Sequence, residues 1–376
     1  MNIDDLAGVA FRTASYCTDP ICKAHELYRR IAVVEALNPA AGEISHLISK
    51  ILLSAELVGW ACISLFTTAL GVVLREVGSH LQTSPFICEK GEAEEKILPA
   101  GRSFSLFSWN VCCVGAGYTI SDGGVMPWSF RIDKIAREIL KQDADINCLY
   151  ETFDMQSGIY LSEKLKQQGY SHIYFNMGPR AVGVSSGIFV ASKYEIKAPE
   201  FIPFSQDALV GRTKNATKGV FSFDVVSNGE SFARIYTTHL QHSEEPEFPT
   251  REEVEARKKE MQVIIDKVNG VRDRCIIVTG DLNLDDAEYQ ASSWAPLFQK
   301  GDAFGSHEKT WDGDEFCARM VGKRISGPLN LDHTMVVNGT ARSLNTSLIP
   351  TGYDPKIFSE KATSDHKGLF SQIALV

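Results

Sequence analysis

A series of short apolar, β-branched or aromatic runs, each ending on an amide, a carboxylate or an imidazole, most narrows the folds open to this chain. FSLFSW ends at Asn110, INCLY at Glu151, IYTT at His239 and IIVTG at Asp281, with Asn283 two residues further on. LNL runs into Asp332, and Asp365-His366 lies ten residues from the C-terminus. Runs of this length and composition read as buried strands. Strands laid side by side bring their ends to one sheet edge. The polar residues then pool there, which is a metal-assisted hydrolysis site in outline.

The chain of 376 residues has room for one large domain plus an appendage, and 44% hydrophobic residues support a full core. A formal net charge of −9 repels a phosphate backbone, so nucleic acid is a disfavoured partner unless a local basic patch overrides the total. The nine cysteines are scattered, with no C-x-x-C pair and no zinc-type spacing to histidine. They read as reduced thiols in a reducing compartment, although secretion is not excluded. Nothing in the sequence sets an oligomeric state.

Residues 51–74, ILLSAELVGWACISLFTTALGVVL, carry a single charge, Glu56. An apolar stretch of this length can cross or lie in a bilayer as a helix. It stands too far from the N-terminus for an ordinary signal peptide. The competing expectation is a helix packed on the residues before it. Lys50 and Arg75 flank the stretch evenly, so no orientation follows.

The chain divides into a helical region (1–82), a charged linker (83–102) and a catalytic domain (103–376). Within the last, strands are expected over 104–109, 146–150, 187–192, 219–225, 232–238, 274–279, 334–337 and 368–375. Helices are expected over 131–141, with Ile132, Ile135, Ala136, Ile139 and Leu140 on one face, and over 252–268, with Met261, Ile264, Ile265 and Val268 inward. Many strands with few helices between them point to packed mixed sheets of an α+β domain.

A magnesium-type ion takes hard oxygen ligands, and one or two carboxylates usually suffice. Glu151 at a strand end suits that role, with Asn110 supplying an amide oxygen. If GDLN is extended, Asp281 and Asn283 point to one side. One can then take a proton from water while the other orients it. His239 and His366 can donate to phosphate oxygens, and Asp332 can fix one imidazole tautomer. Singly, each residue has a plainer role as a turn cap or a core polar group. The ordered set is what carries weight.

These segments, in this order, resemble the endonuclease/exonuclease/phosphatase superfamily over about 103–376. The resemblance implies a DNase I-like four-layer α/β/β/α sandwich and a Mg2+ site, with Mn2+ also possible. It places Asn110, Glu151 and Asp365 on the metal side, and Asp281 with Asn283 as the GDxN pair that positions the nucleophile. It makes Asp332 the support of a catalytic histidine within the terminal SDH signature, Ser364-Asp365-His366, and gives His239 a catalytic role. ETFD, SSGIFVASKY, the stretch ending Lys218-Gly219, THLQ and GDLNLDD are similar to the neutral sphingomyelinase branch. That implies a membrane-associated enzyme cleaving sphingomyelin to ceramide and phosphocholine, with Lys218 on the phosphate. Two departures are a long stretch between Asp207 and Lys218, and His333 where an aromatic is common. A DNase I-like nuclease and an inositol-phosphate or lipid phosphatase remain alternatives on the same site. A membrane-anchored scaffold without activity is the alternative of another class.

Overall fold

The computed structural model describes residues 3–32, 34–38, 40–114, 128–178, 184–271, 273–300, 309–312, 328–350 and 363–376. Two mixed sheets pack face to face between layers of helix. The first has seven strands in the order β1 (Ile87–Lys90), β4 (His172–Phe175), β5 (Phe189–Ser192), β3 (Ile146–Tyr150), β2 (Ser103–Asn110), β15 (Gly368–Leu375) and β14 (Ala341–Ile349). The second has six, in the order β10 (Phe298–Lys300), β13 (Asp332–Val337), β9 (Cys275–Asp281), β8 (Glu230–His239), β7 (Gly219–Ser227) and β6 (Glu195–Pro203). Strands β11 (Trp311–Asp312) and β12 (Pro328–Leu329) make a small ribbon.

Alternation along the strands builds the layers. Phe104 and Leu106 of β2 face the space between the sheets, where they join Phe221, Phe223, Ile235 and Ile277. Phe107 and Trp109, out of phase with them, pack instead under α4 (Trp128–Gln142) and α5 (Met155–Lys166). There they meet the layer containing Ile132, Ile135, Ile139, Leu161 and Leu165. The outer face of the second sheet is covered by α6 (Arg251–Val268), through Met261, Ile264 and Val268. A short α7 (Asp286–Ala291) follows β9. Each fully buried Leu, Ile or Phe contributes about 1.5–3 kcal/mol. The result is the α/β/β/α sandwich. Helix α6 begins on a capping box in which Thr250 and Glu253 satisfy each other's backbone N–H groups.

Among the described residues two strand pairs are parallel, β2 with β3 and β8 with β9, and each sits at the middle of its sheet. A parallel pair puts two C-terminal ends side by side. Asn110 thus lies opposite Tyr150, next to Glu151, and His239 lies opposite Asp281. Strand β13 runs antiparallel to β9, which sets the first residue of one, Asp332, opposite the last of the other, Asp281. Strand register alone therefore gathers these side chains.

Strands β1, β4, β6, β10, β11, β12 and β14 lie outside the strands expected from the sequence, and two of them show why. Residues Ile87–Lys90, within the stretch read as a charged linker, form an edge strand paired with β4. Strand β6 escapes pattern reading because it carries Pro199 and Pro203 and a bulge at Ala198, whose φ is +46°. An edge position tolerates both features.

The N-terminal region is helical: α1 (Ile3–Ala32), a single turn α2 (Val34–Leu37) and α3 (Glu43–Leu81). Helices α1 and α3 pack antiparallel. The buried residues of α3 are Ser64, Gly71 and Gly78, seven apart on one stripe. A Cβ on Gly71 would stand 2.7 Å from the Thr18 methyl, so glycine is what lets α1 approach there. The other faces are open. Leu65 and Phe66 are 78% and 82% exposed, and 6% of the most apolar 18-residue window is buried. At about 1.5 Å per residue, α3 is long enough to cross a bilayer. The expected packing on the preceding residues is present as one stripe, and the rest of the helix presents an apolar surface to the outside of the described residues. Helix α1 is tied to the sandwich by Arg12, which pairs with Glu89 of β1. Glu89 also accepts from Ser162 (2.6 Å) and Lys166 (2.7 Å) of α5.

Candidate active site

Asn110 joins the two sheets. Its Nδ2 donates to Glu151 Oε1 (3.0 Å) and to Asp281 Oδ2 (2.9 Å). Its Oδ1 accepts the Cys112 N–H at 3.0 Å. As placed, the amide presents donors to the carboxylates, and its oxygen is turned away from them. Asn110, expected on the metal side, in this arrangement braces the two carboxylates. Glu151 follows β3 with φ +62°, a left-handed turn that ends the strand and swings the carboxylate inward. Gly187, at φ +73°, makes room for that turn. A Cβ there would meet Phe153 at 2.6 Å and the Glu151 Cα at 3.1 Å. Its carbonyl accepts both the N–H (2.9 Å) and the hydroxyl (2.7 Å) of Thr152.

His239 Nε2 lies 3.8 Å from Glu151 Oε1 and 3.7 Å from Asp281 Oδ2. Gly280 lets β9 press close, since a Cβ would come within 2.2 Å of the Thr238 carbonyl oxygen. The GDLN segment is not extended. Asn283 adopts φ +52°, its N–H donates to Asp281 Oδ1 (3.0 Å), and its Nδ2 donates to the Leu240 carbonyl (3.3 Å). A turn, not strand alternation, therefore brings Asn283 beside Asp281. Lys218 is 3% exposed and donates to the same Leu240 carbonyl at 3.2 Å.

On the far side, the His366 Nδ1–Asp332 Oδ2 contact of 2.7 Å leaves Nε2 facing Asp281 Oδ2, 3.7 Å away. The ring is anchored through its backbone, whose carbonyl accepts the Trp109 indole N–H at 2.9 Å. Ser364 Oγ donates to the Asn110 carbonyl at 2.6 Å and so stitches this turn to β2. Asp365 accepts from Ser364 Oγ at 3.4 Å.

Burial dominates the electrostatics. It pushes the carboxyl of Asp281 up to about 7, with the Asp332 charge adding to the effect. Burial and then Asp365 likewise raise Glu151. His239 is held well below its ordinary value by burial and by the Lys218 charge. Burial lowers Lys218 to about 8 against the pull of Glu151, Glu260 and Asp281. His366 goes the other way. Burial opposes its charge, but Asp332, Asp281 and Asp365 outweigh it and hold the imidazolium well above its ordinary value.

Such a site suits a hard divalent cation. Ligand atoms of Glu151, His239 and Asp281 lie within 4.8 Å of one another, and so do those of Asp281, Asp332 and His366. Two buried carboxylates stay raised by desolvation even with the His366 and Lys218 charges near Glu151, and a cation would add the positive charge that favours their ionised forms. His239 Nδ1 and Asp332 Oδ1 are buried without a partner. Asp365, expected on the metal side, belongs to neither cluster. It acts on Glu151 and His366 through its charge.

Three supporting residues gave no sequence signal. Arg131 of α4 donates to the Val111, Cys112 and Thr363 carbonyls, pinning the loop after β2 to the turn before Asp365. Thr310 Oγ1 accepts the N–H groups of Leu331 (2.9 Å) and Asp332 (3.1 Å). Glu260 of α6 accepts the Gln241 N–H at 2.8 Å from a fully buried position. Arg131 and Glu260 stand four residues before Ile135 and Ile264, on the inward faces of their helices, and it is their charge that disguises them as surface residues. His333, where an aromatic is common, stacks on Tyr289 with centroids 5.6 Å apart and planes at 17°.

Fold and site together are an α/β/β/α sandwich with carboxylates and imidazoles clustered at the strand ends. The chain belongs to the endonuclease/exonuclease/phosphatase family, whose sequence profile matches residues 107–366. Among solved structures it is similar to sphingomyelinase C from Streptomyces griseocarneus, at 18% identity and a TM-score of 0.57, covering 72% of this chain and 99% of that one. Beta toxin from Staphylococcus aureus, solved with bound magnesium ions, gives 19%, 0.57, 72% and 99%. Truncated TDP2 of Caenorhabditis elegans gives 21%, 0.53, 73% and 98%. These likenesses are likenesses of fold. Among curated proteins, the CCR4-Not complex 3'-5'-exoribonuclease subunit Ccr4 of Aspergillus oryzae is 29% identical over 135 residues, which is 32% of this chain and 17% of that protein.

Proposed function

We propose that this chain is a magnesium- or manganese-dependent phosphodiesterase of phospholipase C type, hydrolysing sphingomyelin to ceramide and phosphocholine at a membrane surface. One observation carries the reading. A site able to neutralise and attack a phosphodiester lies in the same chain as a 39-residue apolar helix whose outer faces have no protein cover. The shared fold with sphingomyelinase C supports it.

When bound, the cation supplies charge neutralisation on the phosphate. Glu151 would hold it as the charged ligand, with His239 and Asp281 beside it. Asn110 orients both carboxylates through its two N–H donors. Asp281, held near neutrality, takes the proton of the attacking water. Asn283 fixes the rotamer of Asp281 through its backbone N–H. Lys218 adds positive charge at the phosphate. His366 enters as an imidazolium, oriented by Asp332, and gives its Nε2 proton to the departing ceramide oxygen. His239, kept neutral, donates a hydrogen bond to a phosphate oxygen.

The likeness to the exoribonuclease subunit Ccr4 favours a nuclease as the second reading. A side-by-side assay on sphingomyelin and phosphatidylcholine vesicles, an inositol phosphate and DNA separates them. Phosphocholine release from sphingomyelin with Mg2+ is expected. Plasmid nicking without phosphocholine release would move the assignment to the nuclease.

A further inference from the structure

We infer that Phe153 is a positioning residue through which the N-terminal helix pair bears on the cation site. The inference rests on Glu151 as the cation's ligand and concerns how that ligand is held. Only Thr152 and Phe153 separate Glu151 from Asp154, which caps α5 by accepting the Gln156 N–H. On one side this short segment is clamped by Gly187. The Phe153 ring has two other neighbours. It stacks against His239 with centroids 6.3 Å apart and planes at 36°. It also lines a cavity of about 30 Å³ together with Phe11 of α1 and Arg75 of α3. Tyr150 flanks the His239 ring as well, at 6.5 Å.

The helix pair is itself fixed at this point. Arg75 donates to Thr18 of α1 at 3.0 Å, and the Phe11 ring would lie 3.2 Å from a Cβ on Gly78 of α3. Phe11 and Phe153 border one cavity, so the helix pair and the segment that carries Glu151 share a wall of the same small space. The Glu151–His239 spacing of 3.8 Å is set partly from outside the sandwich. A shift of α1 and α3 moves the cavity wall that faces the Phe153 ring and, through the ring, changes that spacing.

The test uses the full chain and needs no lipid. Mn2+ binding is titrated by electron paramagnetic resonance in wild type, Phe153→Leu, Phe11→Ala and Phe11→Leu. Turnover of bis(p-nitrophenyl) phosphate is measured alongside, and urea midpoints confirm folding. Phe153→Leu should weaken Mn2+ binding about tenfold, as loss of a group behind a ligand does. Phe11→Ala should weaken it about 2–10-fold from a distance. Phe11→Leu, which refills the contact, should recover most of the loss. Unchanged Mn2+ affinity in Phe153→Leu and Phe11→Ala, with wild type binding normally, overturns the inference alone. A wild-type chain that binds no Mn2+ overturns the cation site itself and this inference with it.

Discussion

Asp332 Oδ2 and His366 Nδ1 stand 2.7 Å apart, joining the first residue of β13 to the turn just before β15. One strand lies in each sheet, so the contact closes the site across the sandwich. The charge of Asp332 is what most opposes the burial penalty on the imidazolium. Asp332→Asn is expected to cut kcat by about 10²–10⁴-fold, the usual share of a positioned acid. A second effect follows from the sign of the shift. With the carboxylate gone, the pKa of His366 falls, so the alkaline limb of the rate profile should move to lower pH. An unmoved limb would mean that His366 is not the acid.

His333 makes a separate claim about stability. Burial, with the Lys300 charge adding, holds its pKa at about 4, below the 6.5 of an exposed ring. The folded state therefore prefers the neutral imidazole. The stabilisation is fully present above pH 6.5 and is lost as pH falls through 4, amounting to roughly 3 kcal/mol for such a shift. In urea unfolding, His333→Gln should show a flatter decline between pH 6.5 and 4 than wild type. An identical decline would contradict the buried neutral ring.

Phe66 tests the helix without touching the site. It is 82% exposed on α3, so Phe66→Glu should leave the unfolding free energy in urea within about 0.5 kcal/mol of wild type. Flotation with sphingomyelin-containing vesicles should fall sharply. Undiminished flotation would show that this face of α3 does not meet lipid.

Gly280 tests the register. A Cβ there would collide with backbone, the Thr238 carbonyl, which cannot rotate away. Gly280→Ala should push β8 and β9 apart beside His239 and Asp281 and cost about 1–3 kcal/mol, as overpacking does. A variant as stable and as active as wild type would show that the strands have slack.

Much of this arrangement is legible in the sequence, because a buried strand that ends on a polar residue announces both its direction and its tip. Asn110, Glu151, His239 and Asp281 are found that way, whereas Asp332 begins its strand and meets them through antiparallel register. Side-chain facing is not legible. Asn110 turns its amide nitrogen to the carboxylates, and Asn283 reaches Asp281 through a left-handed turn. Both depend on single backbone torsions that no periodicity encodes. Strand β1 hides in a charged stretch because only one of its sides is paired. Asp365 looks equal to its neighbours in sequence, and in the fold it reaches Glu151 and His366 through its charge.

The most direct measurement is turnover of bis(p-nitrophenyl) phosphate against Mg2+ concentration, in wild type and in Glu151→Gln. Cation-dependent turnover in wild type, abolished by chelation and absent from the variant at every Mg2+ concentration, is the expected result. Turnover that survives chelation, or that Glu151→Gln leaves intact, would contradict a cation held at the end of β3.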